Sequence, residues 1–244
     1  MKKLVLITMA AAFVMPAMAS PVIFERALPT DNLNTASGSD RSNVAWGFGG
    51  DYFSGDTFNL QGDKAWVIDS LSVWRVGDPG ATTYSLWIGD ENNLQNVKSI
   101  SSADTPVVTY ANGDTYQGSG GGFIDMYDMT FDSLDLTVAN NTDYLFAVTA
   151  TDENGYTTPL FLHASNAALS GSVQDGADDL YNWFAADTSG LTYGGTIDSD
   201  GNGWDKSSDI NVSITAAPIP APGAVLLGSL GVFAVRYIRK GRTS

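Results

Sequence analysis

The chain of 244 residues contains no cysteine and a single histidine, His163. The lack of cysteine excludes disulfide bonds, thiol catalysis and thiolate zinc sites, so the folded part of the chain must be stabilised by its own core. Hydrophobic residues make up 43% of the chain, which is enough for such a core. One histidine on an apolar segment is typical of a structural side chain, because catalysis by histidine also needs positioned partners.

Basic residues are also scarce. All 27 acidic residues lie between Glu25 and Asp209, together with only six basic residues, which gives this body a net charge near −21. The other six basic residues lie in the two terminal segments. Because the body is this acidic, it repels nucleic acid and anionic lipid headgroups, and we expect no nucleic-acid partner. The charge suits cations, or solubility outside the cell.

The N-terminal segment, MKKLVLITMAAAFVMPAMAS, has the three parts of a Sec-type signal peptide. Lys2 and Lys3 are the charged start, residues 4–14 are the apolar stretch, and Ala17-Met18-Ala19 is a small-x-small cleavage site. The sequence therefore predicts a signal peptide over residues 1–19 and an exported protein.

Residues 20–217 predict one all-β domain. Its strand candidates are short, rich in Val, Ile, Thr and aromatic residues, and separated by clusters of Gly, Asn and Asp. They are Val22–Ala27, Ala65–Val76, Thr82–Gly89, Thr105–Tyr110, Phe123–Phe131, Asp143–Thr151, Thr157–Ala164 and Ile210–Ala216. This number of strands and turns favours a single antiparallel β-sandwich, jelly-roll-like, with no linker dividing it.

Three local features refine this prediction. Asn154-Gly155 is a tight-turn dipeptide between two strand candidates and predicts a hairpin over Asp143–Ala164. Residues 65–76 alternate imperfectly between apolar and polar, which predicts a bulge near Asp69 or burial of both faces. Residues 166–186 predict a short helix.

The C-terminal segment, residues 218–244, has the pattern of a membrane anchor. Its apolar stretch, 221–238, would span about 27 Å as a helix, close to the thickness of the hydrocarbon core. Arg239, Lys240 and Arg242 follow immediately, and positive charge stays on the cytoplasmic side. With the signal peptide directing export, the pattern predicts a transmembrane helix that holds the domain at the outside of the cell.

The order of signal peptide, β-rich body, short proline motif, apolar helix and basic end resembles the PEP-CTERM class of exported bacterial proteins. The resemblance lies in PAPGAVLLGSLGVFAVRYIRKGR, with Pro220, Ala221 and Pro222 as its sorting motif. The named consensus has Glu at the position of Ala221. The resemblance implies an exosortase-like sorting enzyme as a partner and a location at the cell envelope or surface. The alternative is an ordinary membrane anchor that is never cut.

One stretch has metal-ligand spacing, DSDGNGWDKSSD at residues 198–209. It predicts a Ca²⁺ loop in which carboxylate, amide and carbonyl oxygens alternate around a glycine turn. The ligands would be Asp198, Asp200, Asn202, the backbone carbonyl of Trp204, and Asp209. The alternative is an ordinary turn, because the segment after Asp209 predicts a strand, whereas EF-hand loops are flanked by helices.

These features favour an exported, surface-anchored or sorted protein with a structural or adhesive role in the extracellular matrix, and not an enzyme. The alternative is a calcium-assisted carbohydrate-binding module that stacks Trp204 on a polysaccharide. A third hypothesis is a polysaccharide hydrolase. Stacking aromatics on an open sheet face would favour the module, and a cleft with two facing carboxylates, one with a raised pKa, would favour the hydrolase.

Overall fold

The computed structural model describes residues 20–33, 42–46, 52–78, 80–118, 120–166, 172–187, 190–197 and 208–219. The predicted signal peptide lies outside these residues, as do the sorting motif and four of the five predicted calcium ligands. Those residues are Pro220, Ala221, Pro222, Asp198, Asp200, Asn202 and Trp204. Within the described ranges no helix has the length and apolar character needed to cross a membrane. The predicted transmembrane helix, 221–238, lies beyond them.

The described residues form antiparallel β-sheets with no α-helix, which confirms the all-β part of the predicted fold class. In chain order the strands are β1 Val22–Arg26, β2 Ser42–Trp46, β3 Tyr52–Asn59, β4 Trp66–Val76, β5 Thr83–Asp90, β6 Asn93–Ser101, β7 Val107–Val108, β8 Tyr116–Gln117, β9 Phe123–Ile124, β10 Met126–Phe131, β11 Leu136–Val138, β12 Asp143–Thr151, β13 Phe161–Ser165, β14 Tyr181–Asp187, β15 Gly190–Ile197, β16 Asp209–Ile210 and β17 Val212–Pro218. One turn of 3₁₀ helix, Ser102–Asp104, is the single helical element of these ranges.

Two antiparallel sheets contain most of the strands. The first runs β1-β17-β4-β10-β7, with β11 beside β4 and with β13 joining β2, β4 and β16. The second runs β15-β14-β3-β12-β5-β6, and β8 pairs with β9 in a separate ribbon. From β2 to β5 the chain alternates between the sheets: β2 and β4 lie in the first sheet, and β3 and β5 lie in the second.

A single large core cluster joins the two sheets. Leu71 and Ile214 of the first sheet and Phe146, Val148 and Leu86 of the second sheet are fully buried in it. A buried side chain of this size contributes about 1.5–3 kcal/mol relative to its exposed state. In the absence of cysteine, this core is what holds the sheets together.

The irregular alternation in β4 has the predicted cause, a bulge at Asp69. Ala216 of β17 pairs with Ile68 and its neighbour Thr215 pairs with Ser70, so Asp69 is the extra residue on β4. The carbonyl of Asp69 instead accepts a hydrogen bond from the backbone N–H of Leu134 (2.9 Å). Beyond the bulge, the side chains that face the core are the odd-numbered ones instead of the even-numbered ones, so that both Ile68 and Leu71 face the core.

The predicted hairpin over Asp143–Ala164 is confirmed only next to its turn, where Thr151 pairs with Thr157 and the backbone N–H of Thr158 donates to the carbonyl of Ala150 (2.9 Å). Gly155 has a φ of +80°, and the carboxylate of Asp152 accepts hydrogen bonds from the backbone N–H groups of Asn154 and Tyr156. However, β12 belongs to the second sheet and β13 to the first. The turn therefore carries the chain from one sheet to the other, which a local turn signal does not distinguish from a hairpin.

The helix predicted within residues 166–186 is wrong where the structure describes it, since residues 181–187 form β14. β14 and β15 extend the second sheet, which curls until β15 contacts β6 at its opposite edge. The Trp87 ring lies against Gly190 of β15, and its indole N–H donates to the hydroxyl of Thr149 (3.1 Å). The face of the second sheet that carries Trp87 is therefore covered by strands of the same sheet.

Candidate functional site

An open cleft lies where the ends of β1, β3 and β12 meet the turn between β5 and β6. Its volume is about 750 Å³, within the range of ligand-binding pockets. The segment 175–178 forms its remaining wall. The lining residues are Ile23, Phe24, Thr57, Phe58, Asn59, Gln61, Asp90, Glu91, Asp143, Tyr144, Leu145, Asp175, Gly176 and Asp178.

The floor of the cleft is apolar and aromatic. Phe24 and Phe58 are buried and meet edge to face, with centroids 6.4 Å apart. Tyr144 is half-buried and stacks on Phe58 at 5.6 Å with an interplanar angle of 20°. The Tyr144 hydroxyl accepts a hydrogen bond from the backbone N–H of Ala139 (2.9 Å), which fixes the ring in place.

The rim of the cleft is acidic. It carries five carboxylates, and the described lining contains no lysine or arginine. The Asn59 amide donates to Asp143 and the Gln61 amide donates to Asn59, each at 2.6 Å, so these side chains form an ordered polar chain. The five acids are Asp90, Glu91, Asp143, Asp175 and Asp178.

These carboxylates do not form a metal centre. Among the described residues no three acidic or histidine side chains converge closely enough to hold one ion. The negative charge is therefore distributed around the rim, and it suits a ligand with several separated positive groups better than a single metal ion.

A second group of acids lies in the interior, around Arg26. The guanidinium lies 3.3 Å from the carboxylates of both Asp56 and Asp209, and all three side chains are buried. It also donates to the carbonyl of Thr57 (2.8 Å). Burial raises the pKa of both carboxyl groups, and the adjacent Arg26 opposes that shift. The two acids face one another across a cation in the core and not across a solvent cleft, so they lack the water access that a hydrolase pair needs.

Asp209, the predicted closing ligand of the calcium loop, is held by the protein itself. Its oxygens accept hydrogen bonds from the backbone N–H groups of Asp178 and Asp179, at 3.1 and 2.9 Å, in addition to the contact with Arg26. The structure thus places Asp209 as a counter-ion in the core. Calcium binding by Asp198, Asp200, Asn202 and Trp204 stays a prediction.

His163 belongs to a connected buried network. The side-chain amide of Asn211 donates to the backbone carbonyl of Ala27 (2.7 Å), so its oxygen faces His163 and accepts from Nδ1 (2.7 Å). Nε2 of the neutral ring then accepts from the Tyr110 hydroxyl (2.7 Å). Burial lowers the pKa of His163 to about 4. A neutral histidine with both nitrogens bonded in the interior is structural.

Two described tryptophans, Trp87 and Trp183, pack against glycines of the curled sheet. Trp87 closes its inner face, as described above. Trp183 lies with its ring against Gly194 and meets Tyr52 at 5.4 Å. Trp204, the predicted stacking residue, lies outside the described residues. The cleft residues Asp143 and Tyr144 were not predicted, because they come from segments that are separated along the chain and share no motif.

Comparison with protein families and with curated proteins finds no match. Two solved structures show partial similarity. The cysteine protease and lectin-like domains of Cwp84, a surface-layer-associated protein of Clostridium difficile, are 8% identical with a TM-score of 0.41 over 70% of this chain and 33% of that chain. FlgD from Xanthomonas campestris, from a study of flagellar hook capping, is 16% identical with a TM-score of 0.21 over 61% of this chain and 86% of that chain. The chain thus spans about a third of the Cwp84 structure. At such low TM-scores, neither similarity bears on the fold or the function of this chain.

Proposed function

We propose that this chain is an exported protein, sorted to the cell envelope or surface through its C-terminal segment, whose β domain has a structural or adhesive role in the extracellular matrix. The observation that carries the proposal is the position of the two ends of the fold. The last described backbone bond joins Ile219 N–H to the carbonyl of Ala65 (2.9 Å). The sorting motif at Pro220 begins one residue later.

The N-terminal end of the fold lies beside the C-terminal end. β1 and β17 are antiparallel neighbours, with Val22 opposite Thr215, and the backbone N–H of Ala216 donates to the carbonyl of Pro21 (3.2 Å). The two described ends of the fold, Ser20 and Ile219, therefore lie at the same end of the first sheet. This position supports a domain whose terminal segments are processed together at one side.

The strand order supports assigning the domain to the jelly-roll class. Four strands in the order β1-β17-β4-β10 face four in the order β3-β12-β5-β6. This arrangement of eight antiparallel strands in two sheets corresponds to two Greek keys. β2 with β13, and β14 with β15, are additions to that framework.

The chemistry of the interior supports a non-catalytic domain. Asp56 and Asp209, the acids whose pKa is raised to about 7 and about 6, share the Arg26 guanidinium away from solvent. His163 has both ring nitrogens bonded. General acid–base catalysis requires a group within reach of a substrate proton, and these groups are enclosed.

The experiment that tests the proposal is fractionation of the native host, followed by intact-mass measurement of the chain. We expect the chain in the envelope or extracellular fraction, beginning at Ser20 and shortened beyond Pro220. A matched variant with both Pro220→Ala and Pro222→Ala should keep its intact C-terminus. A wild-type chain that ends at Ser244, or that stays in the cytoplasm, would contradict the proposal.

The cleft favours the carbohydrate-binding module as a second candidate function. It combines the aromatic ring of Tyr144 with amide and carboxylate groups at its mouth, which are the groups that bind sugars. Calcium assistance is tested separately, by calorimetric titration with Ca²⁺ and comparison with Asp200→Ala. If Asp200→Ala binds Ca²⁺ as tightly as the wild type, the calcium-loop hypothesis is wrong. That result has no bearing on sugar binding in the cleft.

A further inference from the structure

The cleft between the sheet ends has a floor and a rim of different chemistry. From this combination we infer that it binds an oligosaccharide carrying free amino groups, of the class represented by glucosamine oligomers. The inference deepens the second candidate function and relies on export only to bring the protein to such a polymer. Binding itself is a property of the folded domain.

The size and floor of the cleft suit a short length of glycan. A volume of about 750 Å³ accommodates a ligand larger than a single sugar ring. The partly exposed ring of Tyr144, supported from below by Phe58, offers a flat apolar surface. Pyranose rings have an apolar face that packs on such a surface, and an adjacent ammonium group is attracted to the aromatic ring.

The rim determines the charge of the ligand. Several rim carboxylates are oriented by one hydrogen bond each: the Asp90 carboxylate accepts from the backbone N–H of Asn92 (2.8 Å), and that of Asp175 accepts from the backbone N–H of Glu25 (2.9 Å). Fixed carboxylates of one sign repel acidic polysaccharides and attract protonated amines. Since no three acids in the described chain converge on one point, the positive groups of the ligand must also be spread out, as in a polymer of amino sugars.

A basic peptide is the competing ligand, and the backbone around the cleft disfavours it. Extended peptides bind most readily by adding a strand to an open sheet edge. The edge of β1 beside the cleft is already occupied: Ala27 N–H donates to the carbonyl of Val173 and Asp175 N–H donates to that of Glu25, each at 2.8 Å. A peptide would therefore bind through side chains alone, whereas a sugar can use the aromatic floor and the Asn59–Asp143 pair.

Calorimetry with the purified full-length chain in a polyoxyethylene detergent tests the inference, because such a detergent contains no sugar headgroup. The probes are the glucosamine hexamer at pH 6, its fully N-acetylated form, and hexalysine. We expect the glucosamine hexamer to bind about tenfold or more tightly than the acetylated form, and its affinity to fall as salt increases. Acetylation removes the positive charges and keeps the sugar backbone.

Four variants locate the binding. Glu91→Gln and Asp143→Asn should together weaken glucosamine binding about fivefold or more, since each removes one rim charge and keeps the shape. Glu153→Gln, an equally conservative change at an exposed acid of the β12–β13 turn, is the matched control and should leave binding unchanged. Tyr144→Phe keeps the ring and should retain binding, whereas Tyr144→Leu should lose it with a near-unchanged far-ultraviolet circular dichroism spectrum.

Three results with the sugar probes would overturn the inference. They are the absence of glucosamine binding, equal binding of the acetylated hexamer, and equal weakening by Glu153→Gln. Hexalysine binding that matches glucosamine binding and survives Tyr144→Leu would also overturn it, in favour of a peptide ligand. Sugar binding is measured on purified protein, independently of export. A negative sorting experiment therefore does not contradict sugar binding, and absence of sugar binding does not contradict sorting.

Discussion

His163 offers the sharpest test of the buried network, through the substitution His163→Gln. Glutamine can still hydrogen-bond but does not titrate. At pH 7 the variant loses the edge-to-face contacts of the imidazole with Tyr110 and Tyr116 and at least one of its two hydrogen bonds. We expect this to lower the free energy of unfolding by about 2–3 kcal/mol.

The pH dependence carries the test. The pKa of His163 is lowered from 6.5 to about 4 in the folded protein, with burial as the main cause. Between pH 6.5 and 4 the unfolded chain therefore binds a proton that the folded protein does not, and stability falls as the pH falls. A shift of this size corresponds to about 3 kcal/mol at 1.36 kcal/mol per pKa unit. His163→Gln lacks this loss, so the gap between the two proteins should close as the pH approaches 4.

The assay is urea unfolding of the full-length chain, followed by tryptophan fluorescence at pH 7, 6, 5 and 4. Comparison at each pH subtracts the opposing contribution of Asp56 and Asp209, whose carboxyl groups are common to both proteins. Tyr110→Phe is the control, because it removes the donor to Nε2 and leaves the histidine able to titrate, so it should keep the wild-type slope. A gap between wild type and His163→Gln that stays constant over this range would refute the assignment of a neutral, buried histidine.

Three further substitutions test other parts of the structure, each by urea unfolding. Arg26→Met leaves two buried carboxylates without their cation, so we expect it to lower the free energy of unfolding by about 3–5 kcal/mol at pH 8. The loss should be smaller at pH 5, where the acids take up protons more readily. An equal loss at both pH values would contradict the ion-pair geometry. Gly194→Ala would place a Cβ 2.5 Å from the Trp183 ring, so we expect about 1–3 kcal/mol of destabilisation with a shifted fluorescence maximum, and an unshifted spectrum would argue against the packing. Gly155→Ala meets no atom within 4 Å but has a φ of +80°, so it should cost about 1–2 kcal/mol through the backbone alone, with an unshifted spectrum.

The sequence predicted the strands whose composition is typical of β-structure and missed those that carry residues typical of turns. β4 and β5 are rich in β-branched and aromatic residues, and both were predicted to within one residue. β3 contains Gly55 and Asp56, which disfavour strands, yet Asp56 is stabilised there by Arg26, a residue 30 positions earlier. A single-sequence pattern has no access to that pairing.

The candidate site was less predictable than the fold. Its rim and floor come from five stretches of chain that only the sheet topology brings together. The one motif with metal-ligand spacing instead ends at Asp209, a residue that the fold buries against Arg26. Ligand spacing along a chain shows that oxygens are available, but the direction in which each carboxylate points depends on the strand that carries it, here β16.

The long-range connections of this domain determine when its fold can close. β17, near the C-terminal end of the fold, lies between β1 and β4 in the first sheet, and Asp209 and Asn211 bond to β1 and to the residue that follows it. The sheet and the buried network therefore cannot close until residues 209–218 are available. The proposed export by a Sec-type signal would carry the chain across the membrane unfolded, and this topology suits that route because non-local contacts form late. On the proposed function, the domain would therefore complete its fold only after residues 209–218 have crossed the membrane.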